Sequence, residues 1–278
     1  MALIQTAVKP YGNCTREVKM PYEKADACKK RRIVLMDELR GFAVFCMVFY
    51  HGFYTVGFLF GNKAGVYCFN FFMPAEPFFA GLFMFISGIS SDLSHSNLAR
   101  GLKLLLLSAG VTLVTFIFIP GEAIIFGILH FLSVCMILYG FLKPVSDRYG
   151  FSWIPMAVCA LLFLVTKDIQ SGYLWVLPGL KALLPARLYS SDILAPLGMH
   201  SAAFASADYF PLLPWIFVFA AGTFLGKPAA KGQFPEAMYR QRVPAFSWLG
   251  RHALIIYLAH QPVIYGICLL VYKIAGAK

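Results

Sequence analysis

The chain has 278 residues, of which 59% are hydrophobic and only 13% charged. A soluble domain is about half apolar and a quarter charged, and a chain this size has too little interior to hide so much apolar side chain from water. Lipid has to cover the excess. The net charge of +11 does not imply nucleic acid, because Lys and Arg gather in the N-terminal tail and between hydrophobic segments, where membrane topology puts them.

Residues 1–32 carry Lys9, Arg16, Lys19, Lys24 and the run Lys29-Lys30-Arg31-Arg32. No apolar stretch with a small-residue cleavage site precedes them, so they read as a basic cytoplasmic tail ahead of a transmembrane domain over residues 33–278. A spanning helix needs about 20 mostly apolar residues. The first span covers Phe42 to Phe60, its helix beginning near Ile33. The second covers Pro77 to Ser91, after an aromatic stretch, Tyr67 to Met73, expected at the membrane interface. The third, Leu102 to Ile119, stops at Pro120-Gly121, a helix-ending pair. Ile124 to Leu142 and Phe151 to Thr166 form the fourth and fifth. A long connection from Lys167 to Asp208 carries Pro178, Pro185 and Pro196 and is expected to hold short interfacial or re-entrant helices. Phe210 to Gly226 and Leu249 to Tyr272 are the sixth and seventh.

Charge supports this order independently. With the tail inside, the inner connections hold Arg100 and Lys103, then Lys143 and Arg148, then Lys227, Lys231, Arg240, Arg242 and Arg251. The outer ones hold Lys63, then Lys167, Lys181 and Arg187, then Lys273 and Lys278. That alternation follows the positive-inside rule. The expectation is an all-α polytopic transmembrane helix bundle of about seven spans, with six to eight open because two spans are short. Its N-terminus lies in the cytoplasm, its C-terminus outside, and it resides in the cytoplasmic (inner) membrane. No internal repeat argues for an inverted-repeat transporter. The seven cysteines show neither CxxC pairing nor metal-ligand spacing, so no disulfide framework and no metal site is expected.

Ionisable groups at membrane depth are costly and point to function. The first helix carries Asp37, Arg40 and, eleven residues further on, His51. At about 100° per residue the two basic groups fall within roughly 20° of one face, and the rise of about 1.5 Å per residue separates them by roughly 16 Å. Asp37 stands one turn before Arg40, within salt-bridge reach. The bland alternative makes these snorkelling charges and a packing imidazole, although apolar side chains fill a lipid-embedded bundle at less cost. Glu38 points off this stripe and reads as a surface charge. Ser87, His130, His260 and Gln261 lie at membrane depth in other spans. Glu76, Glu122 and Asp208 sit at outer ends, where solvated carboxylates are ordinary.

The run Asp37-Glu38-Leu39-Arg40-Gly41 followed by His51 resembles the Arg-x10-His helix of the transmembrane acyltransferase superfamily. Further stretches resemble the bacterial branch of the heparan-α-glucosaminide N-acetyltransferase catalytic-domain family. They are Phe85-Ile86-Ser87-Gly88-Ile89-Ser90, Phe126-Gly127-Ile128-Leu129-His130, Asp208-Tyr209-Phe210-Pro211-Leu212-Leu213-Pro214-Trp215, and Leu249-Gly250-Arg251-His252 with Tyr257, His260, Gln261 and Pro262. The resemblance implies transfer of an acyl group, usually acetyl, from cytoplasmic acyl-CoA to a carbohydrate-like amine or hydroxyl acceptor. It implies no metal.

On that reading Arg40, Arg100 and Arg251 hold the coenzyme A phosphates and Asp37 orients Arg40. The pantetheine arm runs along the stripe, and His51 takes the acceptor's proton as general base, directly or through an acylated imidazole. His130, His260 and Gln261 orient His51, bind the acceptor or stabilise the oxyanion, and Asp208 contributes on the acceptor side. The expected partners are the lipid bilayer, acyl-CoA and the acceptor, and a homo-oligomer is compatible with the sequence. A different class remains open: a small carrier relaying protons through the same histidines, with Asp208 and Glu122 as an outer vestibule.

Overall fold

The computed structural model describes residues 31–148, 150–177 and 179–276. Apart from its last two positions, the basic tail expected over residues 1–32 lies outside them. Helix α1 (Val34–Tyr54) continues through one π-helical turn, Thr55–Leu59. Asn62 then caps α2 (Lys63–Phe72), its side-chain oxygen accepting from the N–H groups of Ala64 and Gly65 at 2.9 and 3.3 Å. A single 3-10 turn links α2 to α3 (Glu76–Asp92). The aromatic stretch expected as an interfacial lead-in is therefore helix, and α2 with α3 forms one apolar run of 30 residues.

Ser96 caps α4 (Asn97–Phe118), which ends just before Pro120-Gly121, as that pair predicts. Helix α5 (Ile128–Ser146) begins four residues later than hydropathy suggests, because Gly127 is extended and the Asp208 carboxylate accepts from the Ile128 N–H at 3.2 Å. Ser152 caps α6 (Trp153–Thr166). The long outer connection holds short 3-10 turns and also an antiparallel hairpin, β1 (Tyr173–Leu177) with β2 (Leu180–Leu183), which the helical expectation missed. The turn between them uses Gly179 at φ +84°. Lys181 lies over the Tyr173 ring at 3.9 Å, facing Trp175 in the strand register. Helix α7 (Leu212–Ala230) follows. The last predicted span is divided at His252 into α8 (Pro244–Arg251) and α9 (Ala253–Gly276).

Among the described residues seven helical runs are long and apolar enough to cross a membrane. The chain is a multi-pass membrane protein. Its core joins α3, α5 and α7 through Met84, Phe131 and Phe219. At the C-terminal end of α3 Asp92 accepts from the Tyr139 hydroxyl at 2.6 Å and lies 3.6 and 3.7 Å from Lys227 and Lys143, tying the same three helices by charge.

Helices α1 and α8 meet backbone to backbone. A Cβ added at Gly41 would lie 1.9 Å from the Phe246 carbonyl oxygen, and one at Gly250 would lie 1.9 Å from that of Asp37. Small residues permit such approaches between membrane helices. The neighbours of these glycines, Arg40 and Arg251, are thereby brought to one end of the bundle. The five described cysteines are free.

Candidate active site

Two charged groups near the start of α1 organise one end of the bundle. Asp37 is buried between Arg32 and Arg40, pairing with them at 2.5 and 3.4 Å. Arg40 also donates to Ser90 Oγ on α3 at 2.6 Å. Glu38 is no surface charge: only 5% exposed, it accepts from the backbone N–H groups of Arg242 and Val243 at 2.7 and 2.8 Å and from Ser247 Oγ at 3.3 Å. It binds the two residues that lead into α8 and so places a carboxylate near the positive end of that helix's dipole.

Arg40, Arg100 and Arg251, from α1, α4 and α8, line one pocket of about 360 Å³ with Ser87, Ser90 and Tyr257. Among the described residues neither Arg100 nor Arg251 has a carboxylate partner. Positive charge left uncompensated in a concave site suits a polyanion.

His51, near the C-terminal end of α1, stands in the wall of a second cavity of about 250 Å³ together with Tyr50, Glu76, Asp208 and Tyr257. Its ring centroid lies 5.0 Å from that of His260. Gln261 Nε2 lies 3.2 Å from His51 Nδ1, while Gln261 Oε1 accepts from the fully buried Thr55 hydroxyl at 3.2 Å. Thr55 opens the π-helical turn that ends α1, a feature found often at functional sites.

His260 Nδ1 lies 2.6 Å from the Tyr257 carbonyl oxygen. A carbonyl only accepts, so Nδ1 carries a proton and a neutral His260 has its lone pair on Nε2. That atom is buried and has no hydrogen-bond partner.

Asp208, at an outer end where a solvated carboxylate was expected, is 9% exposed. It accepts from the Tyr257 hydroxyl at 2.5 Å and from the Ile128 N–H. Burial pushes its carboxyl above the usual range, against these two donors, which favour the charged form. Glu122 accepts from the Tyr54 hydroxyl at 2.9 Å. His130 stands apart, 3.3 Å from Thr112 Oγ1, stacked on Phe126 and in the wall of neither the arginine pocket nor the His51 cavity.

Tyr257 and Phe83 line both the arginine pocket and the His51 cavity. The cationic and imidazole ends of the stripe thus face two adjoining spaces, with these two side chains between them. Sequence reasoning did not single out Phe83, Tyr50 or Thr55, since an aromatic or a hydroxyl in an apolar helix carries no periodic signal. No group of three or more His, Cys, Asp or Glu placed to hold a metal occurs among the described residues.

The sequence model of the heparan-alpha-glucosaminide N-acetyltransferase catalytic family matches residues 32–262. The chain belongs to this family. The matched stretch contains every candidate residue described above. A heparan-alpha-glucosaminide N-acetyltransferase family member with seven apolar spans is a membrane acyltransferase. No curated protein matches the chain, and no solved structure does.

Proposed function

We propose that this protein transfers an acyl group, in the simplest case acetyl, from cytoplasmic acyl-CoA to an amine or hydroxyl of a carbohydrate-like acceptor. It does so as a multi-pass protein of the cytoplasmic membrane, with the basic tail of residues 1–32 inside and residues 33–278 forming the catalytic domain. One observation carries the reading: an arginine-lined pocket and an imidazole-lined cavity adjoin across the shared side chains Phe83 and Tyr257.

Arg40, Arg100 and Arg251 hold the donor's phosphates, and Asp37 fixes Arg40. The pantetheine arm runs outward past Phe83 and Tyr257 toward His51. The acceptor nitrogen or oxygen attacks the thioester carbonyl carbon and loses its proton to an imidazole. The tetrahedral intermediate then collapses, breaking the C–S bond. The thiolate leaves and takes up that proton as coenzyme A, and the new amide or ester remains on the acceptor.

His51 and His260 work as a pair. The bare Nε2 of His260, buried at rest, takes the acceptor's proton when the ring turns toward the cleft. With the Gln261 amide N–H donating to Nδ1, His51 presents Nε2–H to the carbonyl oxygen as charge develops there. Turning the Gln261 amide gives His51 Nδ1–H a carbonyl to donate to and makes His51 Nε2 a base. His130 acts from outside the pocket, through the start of α5. Asp208 and Gln261 bind or position on the acceptor side.

The test is a nanodisc-reconstituted protein supplied with labelled acetyl-CoA and amino-sugar glycosides. The expected result is stabilisation by acetyl-CoA, by mass action, and acceptor-dependent release of coenzyme A. His51→Ala and His260→Ala should each lower kcat by roughly 10²–10⁴-fold, and Arg251→Ala should raise the donor KM. A protein not stabilised by acetyl-CoA and inert with every acceptor, as a proton-relay carrier would be, sinks the proposal. A burst of coenzyme A before any acceptor is added identifies the acyl-enzyme route.

A further inference from the structure

A third space opens from the site. Helix α4 leans on α5, and α9 leans on α1 and α8, leaving a cleft between α4 and α9. The cleft encloses about 880 Å³, within the range that holds a drug-sized ligand. Its walls are apolar, with Leu106, Leu107, Val111 and Val114 on one side and Leu258 and Pro262 on the other. Leu106 is 78% exposed although it lines the cavity, so the cleft is open along its flank, at a depth where hydrocarbon surrounds an apolar span. From Lys103 to Thr115 the wall extends about 18 Å along α4, more than half the thickness of a bilayer's apolar core.

The floor of this cleft is polar. His51, His260 and Gln261 line it, and His260, a residue 8% exposed, keeps its unpartnered Nε2 buried just behind that floor. Its connections decide what enters. The cleft shares Tyr50, His51, Ala207, Asp208 and Tyr257 with the small carboxylate-bearing cavity, but only Tyr257 with the arginine pocket. It is therefore continuous with the acceptor side of the site and walled from the donor side.

Resting on the acyltransfer reading, we propose that the acceptor is a membrane-borne amphiphile. Its amino or hydroxyl head occupies the small cavity beside Glu76 and Asp208, and its hydrocarbon chain lies in the cleft between α4 and α9. The head thus reaches the imidazoles sideways from the bilayer. The two carboxylates recognise an ammonium or sugar hydroxyls, while Leu106, Val111 and Val114 meet only hydrocarbon. Gly110 lines the cleft, and a Cβ added there meets no atom within 4 Å, so a large side chain can grow into the cleft without displacing backbone.

The test compares methyl and dodecyl glucosaminides as acceptors, with acetyl-CoA as donor, in nanodiscs. The dodecyl compound should show at least tenfold higher kcat/KM, and Gly110→Trp should lower the dodecyl-to-methyl ratio at least tenfold. Equal use of the two acceptors by the native protein, or a ratio unmoved by Gly110→Trp, overturns lateral entry. A dodecyl glucosaminide with a diazirine in its chain supplies a readout that needs no turnover. Adducts on Asn97–Phe118 and Ala253–Gly276, displaced by dodecyl but not methyl glucosaminide, support the proposal. Adducts elsewhere, or a Gly110→Cys protein that crosslinks to a second copy and so shows the cleft covered by protein, refute it. Loss of the acyltransfer reading itself looks different, with no transfer to either acceptor and no stabilisation by acetyl-CoA.

Discussion

Replacing Glu38 with Ala removes a carboxylate that three donors share, two of them backbone N–H groups at 2.7 and 2.8 Å. A hydrogen bond to a charged group contributes about 1.5–3 kcal/mol, and a buried donor left unpaired costs about 1–3 kcal/mol. Two such N–H groups at a helix start, one of them partly recoverable by water, put the loss at about 3–5 kcal/mol. For a chain of this size that lowers the apparent Tm by roughly 10 °C. Glu38→Gln keeps an oxygen for the two N–H groups and forfeits mainly the charge at the positive end of α8, about 1–2 kcal/mol. The assay is thermal unfolding of the purified protein with and without acetyl-CoA. Because α8 carries Arg251 into the arginine pocket, the Ala variant should also lose stabilisation by the donor, with Gln between the two. An Ala variant within about 0.5 kcal/mol of the native protein, the scatter of ordinary surface changes, would mean that packing alone seats α8 and that the Glu38 hydrogen bonds do not.

Gly41→Ala forces a Cβ to within 1.9 Å of the Phe246 carbonyl, so α1 and α8 have to separate. The expected cost is about 3 kcal/mol or more, with acetyl-CoA stabilisation abolished, whereas Gly266→Ala, which meets nothing within 4 Å, should be neutral in both measurements. Asp208 holds its proton more tightly folded than unfolded. Its contribution to stability is therefore fully present below the unfolded value of about 3.9 and lost as pH rises through the raised folded value. The apparent Tm of the native protein should fall across that window relative to Asp208→Asn, and parallel curves would contradict it. Gln261→Ala frees the His51 ring without touching the arginine pocket, so kcat should fall about tenfold or more while the donor KM holds. A rise in donor KM alone would move Gln261 out of the positioning role.

The positions of the spans were legible because lipid imposes one rule on every backbone, and a run of apolar residues long enough to cross is hard to disguise. The Asp37–Arg40–His51 stripe was legible for a related reason, since helical periodicity within one element fixes which residues share a face. What lay beyond sequence was contact between elements. Glu38 reads as exposed on its own helix and is buried because α8, some 200 residues later, closes over it. Asp208 reads as an ordinary outer carboxylate and is buried because it caps α5. His130 shares membrane depth with His51 yet points to Thr112, for depth does not fix azimuth across helices. The hairpin in the outer connection escaped notice because its strands have no clean alternation and its pairing is local.

The two ends of the site carry opposite charge, and that difference does chemical sorting before any geometry is consulted. Three arginines line one pocket, while Glu76, Asp208 and Glu122 border the His51 cavity and the cleft between α4 and α9. On the proposed function, a polyanionic donor is drawn to the first and repelled by the second, and an acceptor bearing an ammonium or neutral hydroxyls is treated in the opposite way. In a low-dielectric interior such preferences are stronger than at a wet surface. The imidazole pair sits where the two fields meet, separated from the arginines by Phe83 and Tyr257, and the Tyr257 hydroxyl is bound to the outer carboxylate of Asp208. One side chain therefore borders the arginine pocket, the His51 cavity and the cleft between α4 and α9. On the proposed function, a movement of Tyr257 that admits the thioester also disturbs its hydrogen bond to Asp208, so the arrival of one substrate is felt in the space proposed for the other.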